Sequence, residues 1–338
     1  MGEVLKFSIC IPTFNRGPDL LYTIESVINQ SYPHWELNVL DDSSNNDTEI
    51  LIKSLKNSRI NYYKNEARLG LVRNWNECLK HCDNEYCMIL HHDDFLLKDS
   101  LLNYKKFIDL HPTAMFIHAN SFTANLPFSD KLVYNPKHKN VVTSEGDEGV
   151  LDIMNNYGIT CSTVLIHKSC IKKVGYYDEE CWVSPDWEFS ARLAKDFKTF
   201  FLSLPTVVYV YHNDNTHTNA YNVNDFARQS RSHYKTVKTY LKVIPEGIDE
   251  TSENTLLNAI KGLGILMFVA GKYSLSIEFL KYSRKKVSYK TLGYAFLKRM
   301  EYVFKSIVKR KVTYKELFES NYNISCKKDV DISINVCL

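Results

Sequence analysis

The first 120 residues or so alternate short apolar segments with helical hydrophobic periodicity, and this alternation constrains the fold more than any other feature of the chain. Apolar strands are predicted at residues 5–11, 37–40, 59–64 and 85–90. After the first of them, apolar residues recur at the 3.6-residue spacing of an amphipathic helix that begins at Pro18. This pattern is typical of βαβ units, so we predict an α/β, Rossmann-like fold with a mainly parallel sheet flanked by helices.

Acidic residues follow two of these predicted strands. Asp41 and Asp42 come directly after the second strand, in a stretch of turn-forming residues where Asp47 or a neighbour is placed to cap the next helix. The fourth strand stops at His91-His92-Asp93-Asp94. Loops at the carboxyl ends of parallel strands hold ligands in open α/β sheets, so we expect a binding site at this edge.

The middle of the chain is less regular. Residues 121–150 are polar, and we interpret them as an excursion on the acceptor side of the site rather than as core. Strands are predicted at residues 160–166 and 207–211. Between them, Ser184 and Pro185 have the residue types of a helix cap and of the first helical turn.

Strand patterns stop near residue 221, and helical periodicity continues to about residue 320. With 338 residues the chain can bury a large core and still form a smaller second unit. We therefore predict one domain over residues 1–220, a helical C-terminal subdomain over residues 221–320 and a polar tail over residues 321–338.

Basic residues concentrate in the predicted helical subdomain. Twelve Lys or Arg residues and one acid, Glu301, lie between Lys281 and Lys315, where an apolar stripe makes the segment a basic amphipathic helix. The stripe either packs on the first domain or rests on anionic lipid headgroups, and we favour weak membrane contact. Nucleic-acid binding is disfavoured, because the net charge is only +3 and no recognition module is present.

The amino terminus lacks the basic, apolar and small-residue order of a secretory signal, and no run of about 18 uncharged apolar residues occurs. We therefore expect a cytoplasmic protein, peripheral on the inner face of the plasma membrane if the basic helix binds lipid. Nine cysteines, an odd number without CxxC pairs, predict buried reduced thiols rather than disulfides or a zinc site.

Over roughly residues 6–215 the chain resembles family 2 glycosyltransferases, which have the GT-A fold. The matching segments are residues 8–16, 41–44, 65–74, 91–94, 175–188 and 209–217. Each is weak alone, but together and in this order they are specific. The resemblance implies an inverting, metal-dependent transfer of a sugar from a nucleotide-diphosphate donor to an acceptor hydroxyl.

The resemblance assigns the nucleotide to the first two segments. Phe14 would stack on the base, and Pro12, Thr13 and Asn15 belong to the same contact turn. Asp42 would accept a hydrogen bond from the base, and a carboxylate there favours an imide N–H and so a uracil-like base. An ordinary turn and helix capping are the structural alternatives for these segments.

The third and fourth segments imply contacts with the diphosphate. Arg73 would place a guanidinium near a phosphate or a base carbonyl, unless it is simply a solvated helix residue. Asp93 and Asp94 match the family's metal motif, and their oxygens suit Mn²⁺ or Mg²⁺. His91 replaces the commoner acidic residue two places before Asp93, which leaves open how many side chains touch the metal. His212 matches a histidine that can reach the metal, although a histidine after a strand is more often structural.

Asp186 corresponds to the family's catalytic base, although Pro185 replaces the acidic residue that often precedes it. In an inverting displacement one carboxylate takes the acceptor proton while the acceptor oxygen attacks the anomeric carbon opposite the leaving phosphate. A helix-terminal role is the structural alternative for Asp186.

On the resemblance we expect a UDP-sugar donor and a saccharide or lipid-linked saccharide acceptor, in bacterial surface polysaccharide or glycolipid synthesis. A nucleotidyltransferase is the alternative enzyme, disfavoured because no Gly-rich phosphate loop follows the first strand. A non-catalytic sugar-binding module is disfavoured because the metal and base positions are both filled. A metal phosphohydrolase would need separated ligands that the single HHDD run lacks.

Overall fold

The computed structural model describes residues 4–16, 18–126, 131–134, 143–144, 146, 149, 153, 159–181 and 185–212. The predicted subdomain over residues 221–320, its basic segment 281–315 and the tail 321–338 therefore lie outside the described residues, as does the predicted cap residue Ser184.

Strands and helices alternate along the described chain. The strands are β1 (Phe7–Thr13), β2 (Trp35–Asp41), β3 (Ile60–Lys64), β4 (Tyr86–Ile89), β5 (Phe95–Leu96), β6 (Phe116–Asn125), β7 (Val133–Tyr134), β8 (Thr143–Ser144), β9 (Leu165–His167) and β10 (Thr199–Tyr211). The helices with described bounds are α1 (Pro18–Ile28), α2 (Asp47–Leu55), α3 (Leu71–Lys80), α4 (Ser100–Leu110), α5 (Lys168–Val174) and α6 (Pro185–Asp196). Short 3₁₀ turns cover Cys161–Thr163 and Glu179–Cys181.

The strands form one sheet in the order β3-β2-β1-β4-β9-β6-β10-β5, with β7 beside β6 and β8 beside β10. The strands β1 to β4 pair in parallel, as predicted. The other half is mixed, because β9 runs antiparallel to both β4 and β6, whereas β6 and β10 are parallel. The α/β architecture is confirmed, and the carboxyl ends of β1, β2 and β4 meet at one edge.

Helices cover both faces of the parallel half. Because successive strand residues face opposite sides, Cys10 of β1 contributes to one core cluster and Ile9 and Ile11 to the other. The first cluster includes Trp75 of α3 and Phe189 of α6, together with Leu193 and Ala194. The second contains the apolar faces of α1 and α4. Every residue of β1 is buried, as expected for a strand covered on both faces.

Three predictions for the second half of the sheet are wrong in their bounds. Residues 121–125 continue β6 instead of starting an irregular excursion, since pairing with β10 satisfies the backbone of a strand that carries buried polar residues. Residues 161–163 form a 3₁₀ turn, so the strand predicted at 160–166 begins only at Leu165. The last strand starts at Thr199 rather than 207, with register shifts around Pro205, which cannot donate to the ladder.

The predicted cap of α2 is confirmed only in its position, which a neighbour of Asp47 occupies. Asn46 occupies the N-cap position without a side-chain capping bond, and Asp47 is the first helical residue. Asn45 Oδ1 accepts the Asp47 N–H at 3.4 Å, so the turn before α2 satisfies one of the N–H groups that the helix start leaves free.

The seven described cysteines are free and buried, as predicted, whereas Cys326 and Cys337 lie outside the described residues. In the part of the chain that the structure describes, no helix combines the length and the apolar character needed to cross a bilayer.

Candidate active site

The turns after β1 and β2 are joined by hydrogen bonds. The Asp42 N–H donates to the Thr13 carbonyl at 2.9 Å, and the Asn15 N–H donates to Ser43 Oγ at 2.7 Å. Asn15 has a φ of 47°, a left-handed conformation that Asn tolerates, and its Oδ1 accepts the Ser44 N–H at 3.2 Å. The predicted nucleotide turn is therefore held in place by the β2 turn beside it.

Asp42 fixes the loop that precedes α3. Its buried carboxylate accepts the backbone N–H groups of Leu69 at 2.7 Å and Gly70 at 2.8 Å, and the Asn65 side-chain amide at 3.0 Å. Two of these donors use Oδ1 and one uses Oδ2. Since each carboxylate oxygen offers about two lone-pair sites, Oδ2 keeps one acceptor site for a further donor.

Phe14, the first residue of the turn after β1, contacts this loop. The Arg68 guanidinium carbon lies 4.0 Å from the Phe14 ring centroid, which is a cation–π contact. Phe14 is half-buried and Arg68 is exposed. Pro12, two residues before Phe14, is buried, and its carbonyl accepts the His92 Nδ1–H at 3.2 Å. The β1 turn thereby also contacts the turn after β4.

Arg73 lies in the first turn of α3 and forms an ion pair. Its Nε–H donates to Glu179 Oε2 at 2.6 Å, and 61% and 50% of the two side chains are exposed. Exposed pairs of this kind contribute only about 0–1 kcal/mol, so the guanidinium can exchange this partner for a ligand at small cost.

The turn between β4 and β5 gathers the predicted metal residues. Ligand atoms of His91, Asp93 and Asp94 all lie within 4.8 Å of one another. The His212 Nε2–H donates to Asp93 Oδ2 at 2.9 Å, so His212, which follows β10, reaches the same turn. All four residues assigned to or near the metal by sequence are thus brought together.

The two carboxylates have different surroundings. Asp94 is fully buried, and its oxygens accept the Ser162 hydroxyl at 2.5 Å and the Val210 N–H at 3.1 Å. Burial and then the charge of Asp93 raise the pKa of Asp94 well above its ordinary value. Burial also acts to raise the pKa of Asp93, but His92 and the His212 hydrogen bond outweigh it and hold that pKa below its ordinary value. Ionising Asp94 beside the charged Asp93 is therefore costly, and a bound cation would offset that cost.

These donors fit a divalent cation. Carboxylate oxygens beside one or two imidazoles suit Mn²⁺ or Mg²⁺ better than a thiolate-preferring metal. To ligate through Nε2, His212 must first lose the proton that it donates to Asp93, so a cation would take the place of that proton.

Asp186 is half-buried in the first turn of α6. Burial raises the pKa of the Tyr209 phenol, and the charges of Asp94, Asp93 and Asp186 raise it further. The charges of the predicted base, Asp186, and of two predicted metal residues, Asp93 and Asp94, therefore all act on the Tyr209 phenol of β10.

A row of aromatic rings connects the β4–β5 turn with α6. His91 stacks on Trp75 with ring centroids 4.9 Å apart, Trp75 meets Tyr177 edge-on at 5.3 Å, and Tyr177 contacts Phe189 at 4.3 Å. Asn76 exchanges two hydrogen bonds with the Tyr177 backbone, at 3.0 and 2.9 Å. This row fixes the position of α6 relative to His91.

Sequence reasoning did not identify Ser162, Trp75 or Arg68 as site residues. The available signal for Trp75 was a large aromatic residue two positions after Arg73, in the helix that follows the predicted nucleotide loop. Ser162 lies in a 3₁₀ turn 68 positions from Asp94, where no local pattern marks it.

Comparison with known proteins finds one family. Residues 8–149, less than half of the chain, match the family model "Glycosyl transferase family 2". This segment is therefore similar to a family 2 glycosyltransferase domain. It is 25% identical over 175 residues to the Escherichia coli protein named UDP-Glc:alpha-D-GlcNAc-diphosphoundecaprenol beta-1,3-glucosyltransferase WfgD. That match covers 50% of this chain and 63% of the relative, so less than two thirds of the relative's length is spanned.

Solved structures confirm the GT-A fold. Staphylococcus aureus TarS, residues 1–349 in complex with UDP-GlcNAc, has a TM-score of 0.61 at 18% identity, over 94% of this chain and 91% of that one. The mannosyltransferase PcManGT from Pyrobaculum calidifontis, in complex with GDP-Man and Mn²⁺, has a TM-score of 0.55 at 14% identity, over 94% and 86%.

Proposed function

We propose that this protein is an inverting, metal-dependent glycosyltransferase that moves a sugar from a UDP-sugar to a hydroxyl of a lipid-linked saccharide. The observation that carries the proposal is the group of His91, Asp93 and Asp94, whose ligand atoms lie within 4.8 Å of one another, together with Asp186, whose charge acts on Tyr209 as those of Asp93 and Asp94 do. A cation-binding group next to a separate carboxylate is what an inverting displacement of a diphosphate requires.

A uridine donor is supported by chemistry and by similarity. The open lone-pair site of Asp42 Oδ2 suits the imide N–H of uracil. The similar E. coli protein is named for UDP-Glc, and TarS is bound to UDP-GlcNAc. PcManGT is bound to GDP-Man, so the fold by itself does not choose the base. Phe14 and the backbone of Pro12, Thr13 and Asn15 would contact the nucleoside.

Asp93 and Asp94, with His91 and His212 beside them, would hold Mn²⁺ or Mg²⁺. The bound cation would supply positive charge for the departing diphosphate. Arg73 would add a second positive charge on the side of α3, after releasing Glu179.

Asp186 would accept the proton of the acceptor hydroxyl. An acceptor oxygen that loses its proton to Asp186 attacks the anomeric carbon from the face opposite the diphosphate, so the anomeric configuration inverts. The aromatic row from His91 to Phe189 keeps the helix of Asp186 at a fixed position for this transfer.

A lipid-linked acceptor would place the reaction at a membrane surface. The E. coli relative is named for a diphosphoundecaprenol-linked acceptor, and the basic segment 281–315 would contact anionic headgroups on the cytoplasmic face. Flotation with anionic and with zwitterionic vesicles tests this contact. Binding that is absent from anionic vesicles would contradict it.

The function is tested by incubating the full chain with Mn²⁺, a polyprenyl-diphosphate-linked saccharide and a panel of UDP-Glc, UDP-GlcNAc and GDP-Man. We expect release of UDP and a glycosylated lipid whose new linkage has inverted anomeric configuration by NMR. Release of pyrophosphate would instead indicate a nucleotidyltransferase, and retained configuration would contradict the role of Asp186.

A further inference from the structure

Arg68 covers one face of the ring to which the nucleotide base is assigned. Its guanidinium carbon lies 4.0 Å from the centroid of Phe14, at stacking distance. Phe14 is the first residue after β1, whereas Arg68 belongs to the loop between β3 and α3, so the contact joins two elements that both border the proposed nucleotide site.

The backbone next to Arg68 is fixed by the neighbouring site residue. The N–H groups of Leu69 and Gly70, the two residues that follow Arg68, both donate to the Asp42 carboxylate. Asp42 also donates its own N–H to Thr13, the residue before Phe14. Asp42 therefore holds the backbones that carry both members of the stacked pair, which makes their juxtaposition a built feature.

A base and the guanidinium cannot both contact the covered face of Phe14. Planar groups stack about 3.5 Å apart, so a base that enters there must move the guanidinium away by roughly its own thickness. The Arg68 side chain is exposed and long, and such a shift leaves its planar group over the opposite face of the base.

We propose that Arg68 is a nucleotide-binding residue that covers Phe14 in the free protein and stacks on the outer face of the donor's base in the complex. The inference rests on the proposed function and deepens it, because it assigns the second wall of the base site. Every base has a π-face, so Arg68 contributes affinity for the nucleoside diphosphate while Asp42 selects the base.

The test is calorimetric titration of the full chain with UDP in the presence of Mn²⁺. Stacking contributes enough that Arg68→Ala should weaken UDP binding on the order of tenfold. Arg68→Lys keeps the charge without the plane and should lose most of the same affinity. In a Phe14→Ala background, adding Arg68→Ala should weaken UDP binding by much less than tenfold, because the base then has no Phe14 ring on its other face.

Arg59 provides a matched control. Its guanidinium lies 3.6 Å from the Trp35 ring, at the opposite end of β2 from Asp42. Arg59→Ala removes an equivalent stacked pair outside the site and should leave UDP affinity unchanged. Thermal unfolding of each variant shows that folding is retained.

The outcomes separate this inference from the proposed function. A wild-type chain that binds no nucleoside diphosphate contradicts the proposed function itself. If the wild type binds UDP, and Arg68→Ala binds it equally well or more tightly, the assignment of Arg68 is wrong. Full affinity in Arg68→Lys would likewise overturn stacking as its role.

Discussion

His212 Nε2 lies 2.9 Å from Asp93 Oδ2, although 119 positions separate the two residues in the chain. The sheet explains this proximity, because β10 runs antiparallel to β5 with Val208 opposite Phe95. The same antiparallel register, continued four residues forward from Val208 and four residues back from Phe95, places residue 212 opposite residue 91. The short strand β5 is therefore what closes the metal group.

Asp93→Asn should lower metal-dependent transfer by about a hundredfold or more, since cation stabilisation of a departing diphosphate is worth several kcal/mol. The amide also loses the charge that attracts the cation. UDP release measured across a Mn²⁺ titration checks this, with the exposed Asp83→Asn as a charge-matched control that should behave as wild type. Unchanged Mn²⁺ dependence in Asp93→Asn would contradict the assignment.

Asp186→Asn should reduce transfer by about 10²–10⁴-fold, the usual contribution of a general base, while UDP binding stays nearly unchanged. Single-turnover rates and UDP titration separate the two effects. Asp196→Asn, at the exposed end of the same helix, removes an equal charge and should leave both quantities intact. A normal turnover rate in Asp186→Asn would show that another group takes the proton.

Arg73→Gln should weaken UDP binding by about tenfold, because a charge-assisted contact to the diphosphate contributes roughly 1.5–3 kcal/mol. Glu179→Gln tests the ion pair itself. It should change the free energy of unfolding by at most about 0.5 kcal/mol, since both side chains are half-exposed or more, and it should not weaken UDP binding. Weaker UDP binding in Glu179→Gln would indicate that the ion pair positions Arg73 for UDP, and that Glu179 is not merely a partner that UDP displaces.

Ser162→Ala should destabilise the protein by about 1–3 kcal/mol, because it leaves a buried Asp94 oxygen and the His91 N–H without their hydroxyl partner. Chemical denaturation measures the loss. Ser54→Ala removes an exposed hydroxyl that donates to a backbone carbonyl and should cost at most about 0.5 kcal/mol. If the two variants lose the same free energy of unfolding, the buried contact between Ser162 and Asp94 contributes no more than an exposed hydrogen bond.

The sequence predicted the parallel half of the sheet well, because its elements carry local periodicity. The predicted first helix begins at Pro18 as expected, and the strands before Asp42 and before His91 lie within two residues of their observed bounds. The strands of the mixed half were predicted less well. Their polar residues, such as Asn120, are buried by partners distant in sequence, which no local pattern reveals.

The site residues also divide into those that local sequence marks and those that depend on distant contacts. Asp93, Asp94 and Asp42 stand at strand ends, where topology alone predicts a site. Pairings such as Arg73 with Glu179, or Arg68 on Phe14, depend on how loops fold onto each other, and 106 positions separate the first pair. Motif reading assigned Arg73 to a ligand but could not reveal the protein partner that it has in the structure.

The helix of Asp186 is held by a half-buried arginine, and this gives the last prediction. Glu188 is 2% exposed, and its carboxylate accepts Arg192 Nε–H at 2.6 Å and an Nη2–H at 2.8 Å. The same guanidinium donates to the carbonyls of Val174 and Tyr176, which ties α6 to the end of α5. Arg192 thus neutralises a buried carboxylate and satisfies two backbone acceptors together.

Arg192→Ala should therefore lower the free energy of unfolding by about 2 kcal/mol, less than the ~3–5 kcal/mol typical of a fully buried pair. The value is reduced because 23% of the Arg192 side chain is exposed. Lys172→Ala, an exposed change on α5, should cost about 0.5 kcal/mol or less in the same denaturation experiment. Because α6 also carries Asp186, Arg192→Ala should slow transfer more than it weakens UDP binding. A stable variant with a normal transfer rate would show that the aromatic row alone positions the helix.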